Sequence, residues 1–169
     1  NTNIIFSETQ NNGLARSING GNSYSNITNG LTGTADWNTP FLVDNSGVLY
    51  VGRQDIFKSI NNGSSYTKIT NGGMGVLEFM AICKTAQSVM YATSGSSVYK
   101  INLTTGSVTN ITGTLSGTIS HVAVADNDSN KVYVTISGFT DGNKIFVSNN
   151  AGANWINISG NLPNIPATS

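Results

Sequence analysis

The chain has 169 residues, only 9% of them charged, with eight basic side chains balancing eight acidic ones; an ordinary soluble protein is about a quarter charged. That length suits one domain and excludes a large multidomain enzyme, and the thin, balanced charge supplies neither the basic stripe that binds nucleic acid nor a polybasic patch for a membrane surface. Asn, Ser, Thr and Gly fill about half of the positions, which is the chemistry of turns between short strands.

The chain opens on Asn1-Thr2-Asn3, without an initiator Met or the regions of a signal peptide, and contains no apolar run long enough to span a membrane. The expectation is a segment of a longer protein. Ile4-Ile5-Phe6 is the first β-type run, followed by Ala15-Arg16-Ser17-Ile18-Asn19 and, across a turn, Tyr24-Ser-Asn-Ile27-Thr28. Beyond a loop carrying Trp37 come Phe41-Leu-Val43, Val48-Leu-Tyr-Val51, Phe57-Lys58-Ser59-Ile60-Asn61 and Tyr66-Thr-Lys-Ile69-Thr70. The order returns as Phe79-Met-Ala-Ile-Cys83, Val89-Met-Tyr-Ala92, Tyr99-Lys100-Ile101-Asn102 and Val108-Thr-Asn-Ile111-Thr112. It returns again as His121-Val-Ala-Val-Ala125, Lys131-Val-Tyr-Val-Thr-Ile136, Phe146-Val147-Ser148-Asn149-Asn150 and Trp155-Ile-Asn-Ile158-Ser159, with Asp126-Asn-Asp-Ser-Asn130 as a turn.

Tyr24, Tyr66, Val108 and Trp155 are therefore spaced by 42, 42 and 47 residues. A repeat of that length, holding four short strands in up-and-down order and no helical periodicity, predicts β-propeller blades. The expected fold is all-β: an arc of about four four-stranded antiparallel blades, with units near 1–28, 29–70, 71–112 and 113–159 and the start of a further blade over 160–169. The first unit begins at its second strand, and a lone arc would expose apolar end faces. Continuation into a larger propeller is the expectation, with closure into a four-bladed ring as the alternative.

The turn between the last two runs of a unit reads Ser17-Ile-Asn19-Gly-Gly21-Asn-Ser23-Tyr24, Ser59-Ile-Asn61-Asn-Gly63-Ser-Ser65-Tyr66 and Ser148-Asn-Asn150-Ala-Gly152-Ala-Asn154-Trp155. It resembles the Asp-box, or BNR repeat, with Asn where that family has Asp and Tyr in two of the three aromatic places. The copy at Ile101-Asn102-Leu-Thr-Thr-Gly106-Ser-Val108 is degenerate. The resemblance implies a structural role for Ser17, Asn19, Gly21, Tyr24, Ser59, Asn61, Gly63, Tyr66, Ser148, Asn150, Gly152 and Trp155, on the side away from the usual ligand face. The chain also looks like segments of large type IX-secreted surface proteins of Bacteroidota, on Gln10-Asn-Asn-Gly13, Trp37-Asn-Thr-Pro-Phe41 and the run from Trp155 to Pro166. More distantly it is similar to sortilin-like and xyloglucanase-type propellers. The implied location is extracellular or the outer cell surface, with glycan or protein partners and the remaining blades of the parent chain.

Catalytic chemistry is poorly served. Sialidases, the best-known Asp-box enzymes, hold a carboxylate with three arginines, whereas this chain has Arg16 and Arg53 alone. A xyloglucanase-type glycoside hydrolase needs two carboxylates across a cleft, for which Asp36 and Asp55 stand in suitable loops but without matching local motifs. His121 is the single histidine and Cys83 the single cysteine, so a two-histidine metal site and an internal disulfide are both excluded. No metal or cofactor is expected. Asp126-Asn-Asp128 lacks the full calcium-loop pattern and reads as a hairpin turn, and His121 as a hydrated residue of a channel-lining strand.

Six Asn-x-Ser/Thr sequons, at Asn26, Asn62, Asn102, Asn110, Asn127 and Asn157, reflect strand and turn composition. The ligand face falls on loops joining second to third strands and fourth strands to the next unit. That selects Glu8, Gln10, Asn12, Arg53, Gln54, Asp55, Thr140 and Asp141, with Asp36, Trp37 and Glu78 between units. Ligand candidates are thus Trp37, Asp36, Arg53, Asp55, Glu78, His121 and Asp141. Trp37 is the sharpest, either stacking on sugar as an aromatic platform or plugging two blades together. The expected function is non-catalytic binding or scaffolding; the alternative is part of a xyloglucanase-type hydrolase whose cleft another propeller completes.

Overall fold

A computed structural model describes residues 3–10 and 12–168; Asn1, Thr2, Asn11 and Ser169, which belong to the opening, the 10–13 segment and the tail considered above, lie outside the described residues. The chain forms two compact units, Asn1–Glu78 and Phe79–Ser169. Four antiparallel sheets account for the described secondary structure, each in sequential strand order.

In the first unit, β1 (Ile5–Thr9), β2 (Gly13–Ser17) and β3 (Ser25–Asn26) make a three-stranded sheet, and β4 (Phe41–Val43), β5 (Leu49–Gly52), β6 (Ile56–Ser59) and β7 (Thr67–Lys68) a four-stranded one. In the second unit, β8 (Phe79–Ile82), β9 (Val89–Ser94), β10 (Ser97–Asn102) and β11 (Val108–Asn110) form one sheet. β12 (Ile119–Ala125), β13 (Asp128–Ile136), β14 (Ile145–Ser148) and β15 (Ile156–Asn157) form the other. The turn expected over 126–130 is tighter than the sequence suggested. Asp128, Ser129 and Asn130 belong to β13, and Ala125 pairs with Asp128 beside a bulge at Val124/Ala125.

Burial explains the composition of each run. All four residues of β5 are buried, as are Met90 to Thr93 in β9, because a sheet covered on both faces needs continuous apolar residues. One core gathers Leu14, Ile27, Leu49, Val51 and Phe57 in the first unit; another gathers Tyr91, Val98, Ile111, Val132, Val134 and Phe146 in the second. Cys83 is fully buried, as a small hydrophobe in that run should be.

The recurring Ile-Thr/Ser pair has a mechanism. The amides of Ile27, Ile69, Ile111 and Ile158 donate to the carbonyls of Leu14, Ile56, Val98 and Ile145 at 2.8–2.9 Å, extending each last strand by one rung. The next hydroxyl then accepts from the third strand: Thr70 Oγ1 from the Ile56 amide, Thr112 Oγ1 from Val98, and Ser159 Oγ from Lys144 and Ile145, at 2.9–3.0 Å. Ahead of it, the carboxamide oxygens of Asn26, Asn110 and Asn157 accept the amides of Thr28, Thr112 and Ser159 at 2.9 Å. These three sequons recur because Asn two residues before the hydroxyl closes an Asx turn.

Candidate functional site

The box turns join β2 to β3, β6 to β7 and β14 to β15, and their polar side chains are spent on the turn itself. Ser17 Oγ donates to Asn19 Oδ1 at 2.9 Å and accepts the Gly21 amide at 2.8 Å, while Asn19 Oδ1 accepts the Ser23 amide at 3.0 Å. Ser59, Asn61, Gly63 and Ser65 repeat the pattern at 2.9, 2.8 and 2.9 Å, as do Ser148, Asn150, Gly152 and Asn154. Asn adds something a carboxylate cannot: Nδ2 of Asn19 and of Asn61 donates to the Ser23 and Ser65 hydroxyls at 2.9 and 2.8 Å. The degenerate copy builds a different turn, in which Asn102 Oδ1 accepts the amides of Thr104 and Thr105.

The glycines of two boxes are enforced sterically as well as by positive φ. A Cβ on Gly63 would lie 2.6 Å from Ile27 Cδ1, and one on Gly152 would lie 2.3 Å from Ile111 Cδ1. Each box glycine thus seats the isoleucine of the preceding sheet.

The loop candidates divide sharply. Arg53 is 8% exposed and its guanidinium donates to the Gly33 carbonyl at 3.0 Å; burial, opposed by Tyr66, lowers its pKa. Beside it, Gln54 Oε1 accepts the Thr34 amide at 3.2 Å. Asp55 accepts the Thr70 hydroxyl at 2.9 Å and the Gly72 amide, and pairs with Lys68 at 3.3 Å. Arg53 and Asp55 hold connecting loops, because backbone groups in those loops need partners, and the side chains nearest them supply the bonds. Glu78 is half-buried at the end of the first unit.

His121 lies on β12 with its ring centroid 5.0 Å from that of Phe79, and its Nδ1 is buried without a partner among the described residues. Asp141 and Thr140 are exposed on the β13–β14 loop next to Phe139, which is 72% exposed. Asp126 pairs with Lys84 of the β8–β9 loop at 2.7 Å, and within the hairpin Asp128 Oδ1 accepts the Asn130 amide at 2.9 Å. Among the described residues no three His, Cys, Asp or Glu side chains are grouped to hold a metal ion.

What remains is Trp37, 57% exposed on the loop between β3 and β4. At that exposure its ring is not enclosed among the described residues. Its neighbour Asp36 interacts electrostatically with Glu8 of β1, whose carboxyl is pushed up by burial and then by that charge. Trp37 thus offers an open indole next in the chain to a carboxylate that acts electrostatically on Glu8.

The sequence reading missed Lys144, 1% exposed, whose Nζ donates to the Gly138 carbonyl at 2.6 Å and Asn164 Oδ1 at 3.2 Å. The signal was available: Asp55-Ile-Phe-Lys-Ser59 and Lys144-Ile-Phe-Val-Ser148 align on the box serine. At one repeat position, opposite charges thus hold the connection that follows the last strand.

No protein-family model matches the chain, and no curated protein matches it. Solved structures do. The Niastella koreensis GH74 enzyme is similar over 92% of this chain at 27% identity and a TM-score of 0.72, and the GH74 xyloglucanase from Xanthomonas campestris over 96% at 18% identity and 0.73. YCF48 bound to D1 peptide is similar over 91% at 16% identity and 0.65. This chain spans 27%, 29% and 48% of those chains, respectively. With them, the antiparallel sheets and the absence of helices among the described residues establish an all-β fold of β-propeller blades.

Proposed function

We propose that this chain is a non-catalytic portion of a secreted or cell-surface propeller protein, presenting loops that contact glycan. One observation carries the reading: Trp37 stands 57% exposed, and the residue before it, Asp36, lies within electrostatic reach of Glu8. An aromatic face stacks on sugar C–H surfaces while flanking carboxylates accept hydroxyl hydrogens. Peptide is the other ligand class to test. The experiment is titration with xyloglucan and mixed-linkage glucan oligosaccharides and with sialosides, followed by tryptophan fluorescence and calorimetry. Saturable binding that falls at least tenfold in Trp37→Ala supports the proposal. Binding to none of the glycans, or binding indifferent to that substitution, sinks it.

A second reading has its own observation. The likeness to the GH74 enzyme at 27% identity favours a segment of a glycoside hydrolase completed by another propeller. Paired carboxylates with one pKa raised suit acid and base roles in such chemistry. Turnover of xyloglucan by the longer protein, abolished by Glu8→Gln or Asp36→Asn, would replace the binding proposal with this one.

A further inference from the structure

One joint between consecutive sheets is clipped by a cation, and its counterpart is open. In the first unit, Arg16 of β2 donates from Nη1 to the Asn62 carbonyl at 2.8 Å and the Ser64 hydroxyl at 3.1 Å, both in the box turn of the next sheet. Two repeats of 42 residues later the equivalent side chain is Lys100 of β10, which pairs with Thr109 as Arg16 pairs with Ser25. The neighbouring box turn is that of the fourth sheet, where Ala151 and Ala153 stand in the places of Asn62 and Ser64. Its backbone is the same: Asn62 and Ala151 both have φ of 57°, and the Ser64 and Ala153 amides donate to the Asn61 and Asn150 carbonyls at 3.2 Å. The hydroxyl is gone, and Lys100 has no hydrogen-bond or ion-pair partner among the described residues. A groove of about 630 Å³ lies there, both of its walls in the second unit, within the size range of small-molecule sites.

The polar side chains around this groove present donors. Asn102, Asn110 and Asn150 line it, and each has its carboxamide oxygen taken up by a turn: Asn102 by the Thr104 and Thr105 amides, Asn110 by the Thr112 amide, Asn150 by the Ser148 hydroxyl and the Asn154 amide. Their Nδ2 groups have no acceptor among the described residues. At Asn150 the cause is one residue: Asn154 replaces the serine that accepts from Asn19 and Asn61 in the other boxes. No carboxylate lines the groove, and buried Ile111 and Ala151 supply an apolar floor. One ammonium, three amide N–H ends and an apolar floor select a ligand that is rich in acceptors and negatively charged.

We propose that this groove binds an acidic saccharide, the carboxylate of a uronate seated on the Lys100 ammonium and ring and hydroxyl oxygens accepting from Asn102, Asn110 and Asn150. Sugar hydroxyls can all accept while their hydrogens point to solvent, whereas a peptide brings N–H groups that these side chains leave unanswered. The site belongs wholly to the second unit, while Trp37, Asp36 and Glu8 belong to the first, and it uses a box turn, which the sequence resemblance assigns a structural role alone.

Calorimetric titration of the chain with an oligogalacturonate and with its methyl ester tests the proposal. The acidic form should bind saturably and the ester at least tenfold more weakly. Lys100→Met should lower affinity for the acidic form about tenfold, the loss of one charge-assisted bond, while Trp37→Ala leaves it unchanged. Lys100→Arg combined with Ala153→Ser restores the residues of the Arg16–Ser64 clip, keeping the charge but filling the groove; it should abolish binding without lowering the melting temperature. No binding of the acidic form, equal binding of the ester, indifference to Lys100→Met or full binding by the double variant each overturns the proposal. So does loss of oligogalacturonate binding in Trp37→Ala, which would assign the ligand to the first unit. Because binding at Trp37 is read with neutral xyloglucan oligosaccharides, the two proposals fail separately.

Discussion

The two buried joints, Ile27 on Gly63 in the first unit and Ile111 on Gly152 in the second, share a backbone pattern and differ in the aromatic that closes each box. Trp155 Nε1 donates to the Ile111 carbonyl at 2.8 Å, whereas Tyr66 in the same repeat position has its hydroxyl buried without a partner among the described residues. Both aromatics fill the socket, but only the indole completes a hydrogen bond. Shape complementarity and polar satisfaction are therefore separable here, and the second joint has both.

The largest expected effect tests what is shared. Gly152→Ala should destabilise by about 2–5 kcal/mol, the left-handed conformation costing about 1–2 kcal/mol and overpacking a further 1–3. Gly63→Ala should be only slightly milder, and Gly21→Ala, where a Cβ would meet nothing closer than 3.5 Å, should cost the conformational part alone. Denaturant unfolding of the three variants ranks them; a Gly21 variant as damaged as the Gly152 variant would break the steric account.

Trp155→Phe tests what differs. It should lose about 1–3 kcal/mol, since the Ile111 carbonyl is left without its donor, where Tyr66→Phe should be neutral or stabilising by up to about 1 kcal/mol, removing a buried hydroxyl that has no partner. Equal losses in the two variants would erase the distinction.

A smaller effect appears in alkali. Burial pushes the Tyr66 phenol up to about 12 from 10.0, against Arg16 and Arg53, and burial likewise pushes Tyr91 up to about 12. A phenol whose folded pKa is raised binds its proton longer than the unfolded chain does, so stability falls as pH climbs from about 10 towards 12. Tyr66→Phe should flatten part of that decline in a melting series, leaving the share due to Tyr91, whose hydroxyl donates to the Ser129 carbonyl at 2.7 Å.

The smallest effect is acidic. Glu8 has a raised carboxyl pKa, so its ionisation opposes folding above the ordinary carboxylate range and ceases to do so below it. Glu8→Gln should raise the melting temperature slightly at neutral pH, with the gain vanishing in acid. A gain that grows in acid would reverse the assignment.

The strands were legible because each repeat must satisfy the same ladder: the Ile-Thr pairs, the box serine and the box glycine each answer a fixed backbone demand, and that demand returns at blade spacing. The loop chemistry was far less legible. Arg53 and Asp55 look from sequence like ligand-facing charges, and only the position of the Gly33 carbonyl and the Gly72 amide shows that the fold consumes them. Trp37 and Asp36 were identifiable as candidates, but the coupling of Asp36 to Glu8 joins residues on separate elements, which no local pattern encodes. Lys144 was hidden because a lysine in a loop is usually solvated, whereas here the following connection wraps over it.

Asparagine at the third box position has an outcome beyond geometry. Asn19, Asn61 and Asn150 hold their turns with carboxamides, which neither take up a proton in acid nor attract counterions. An aspartate in the same place would surrender its charge-assisted acceptor as the medium acidified and would feel ionic strength throughout. The three box turns thus carry no titrating group at that position, and their hydrogen bonds do not depend on the protonation of a carboxylate.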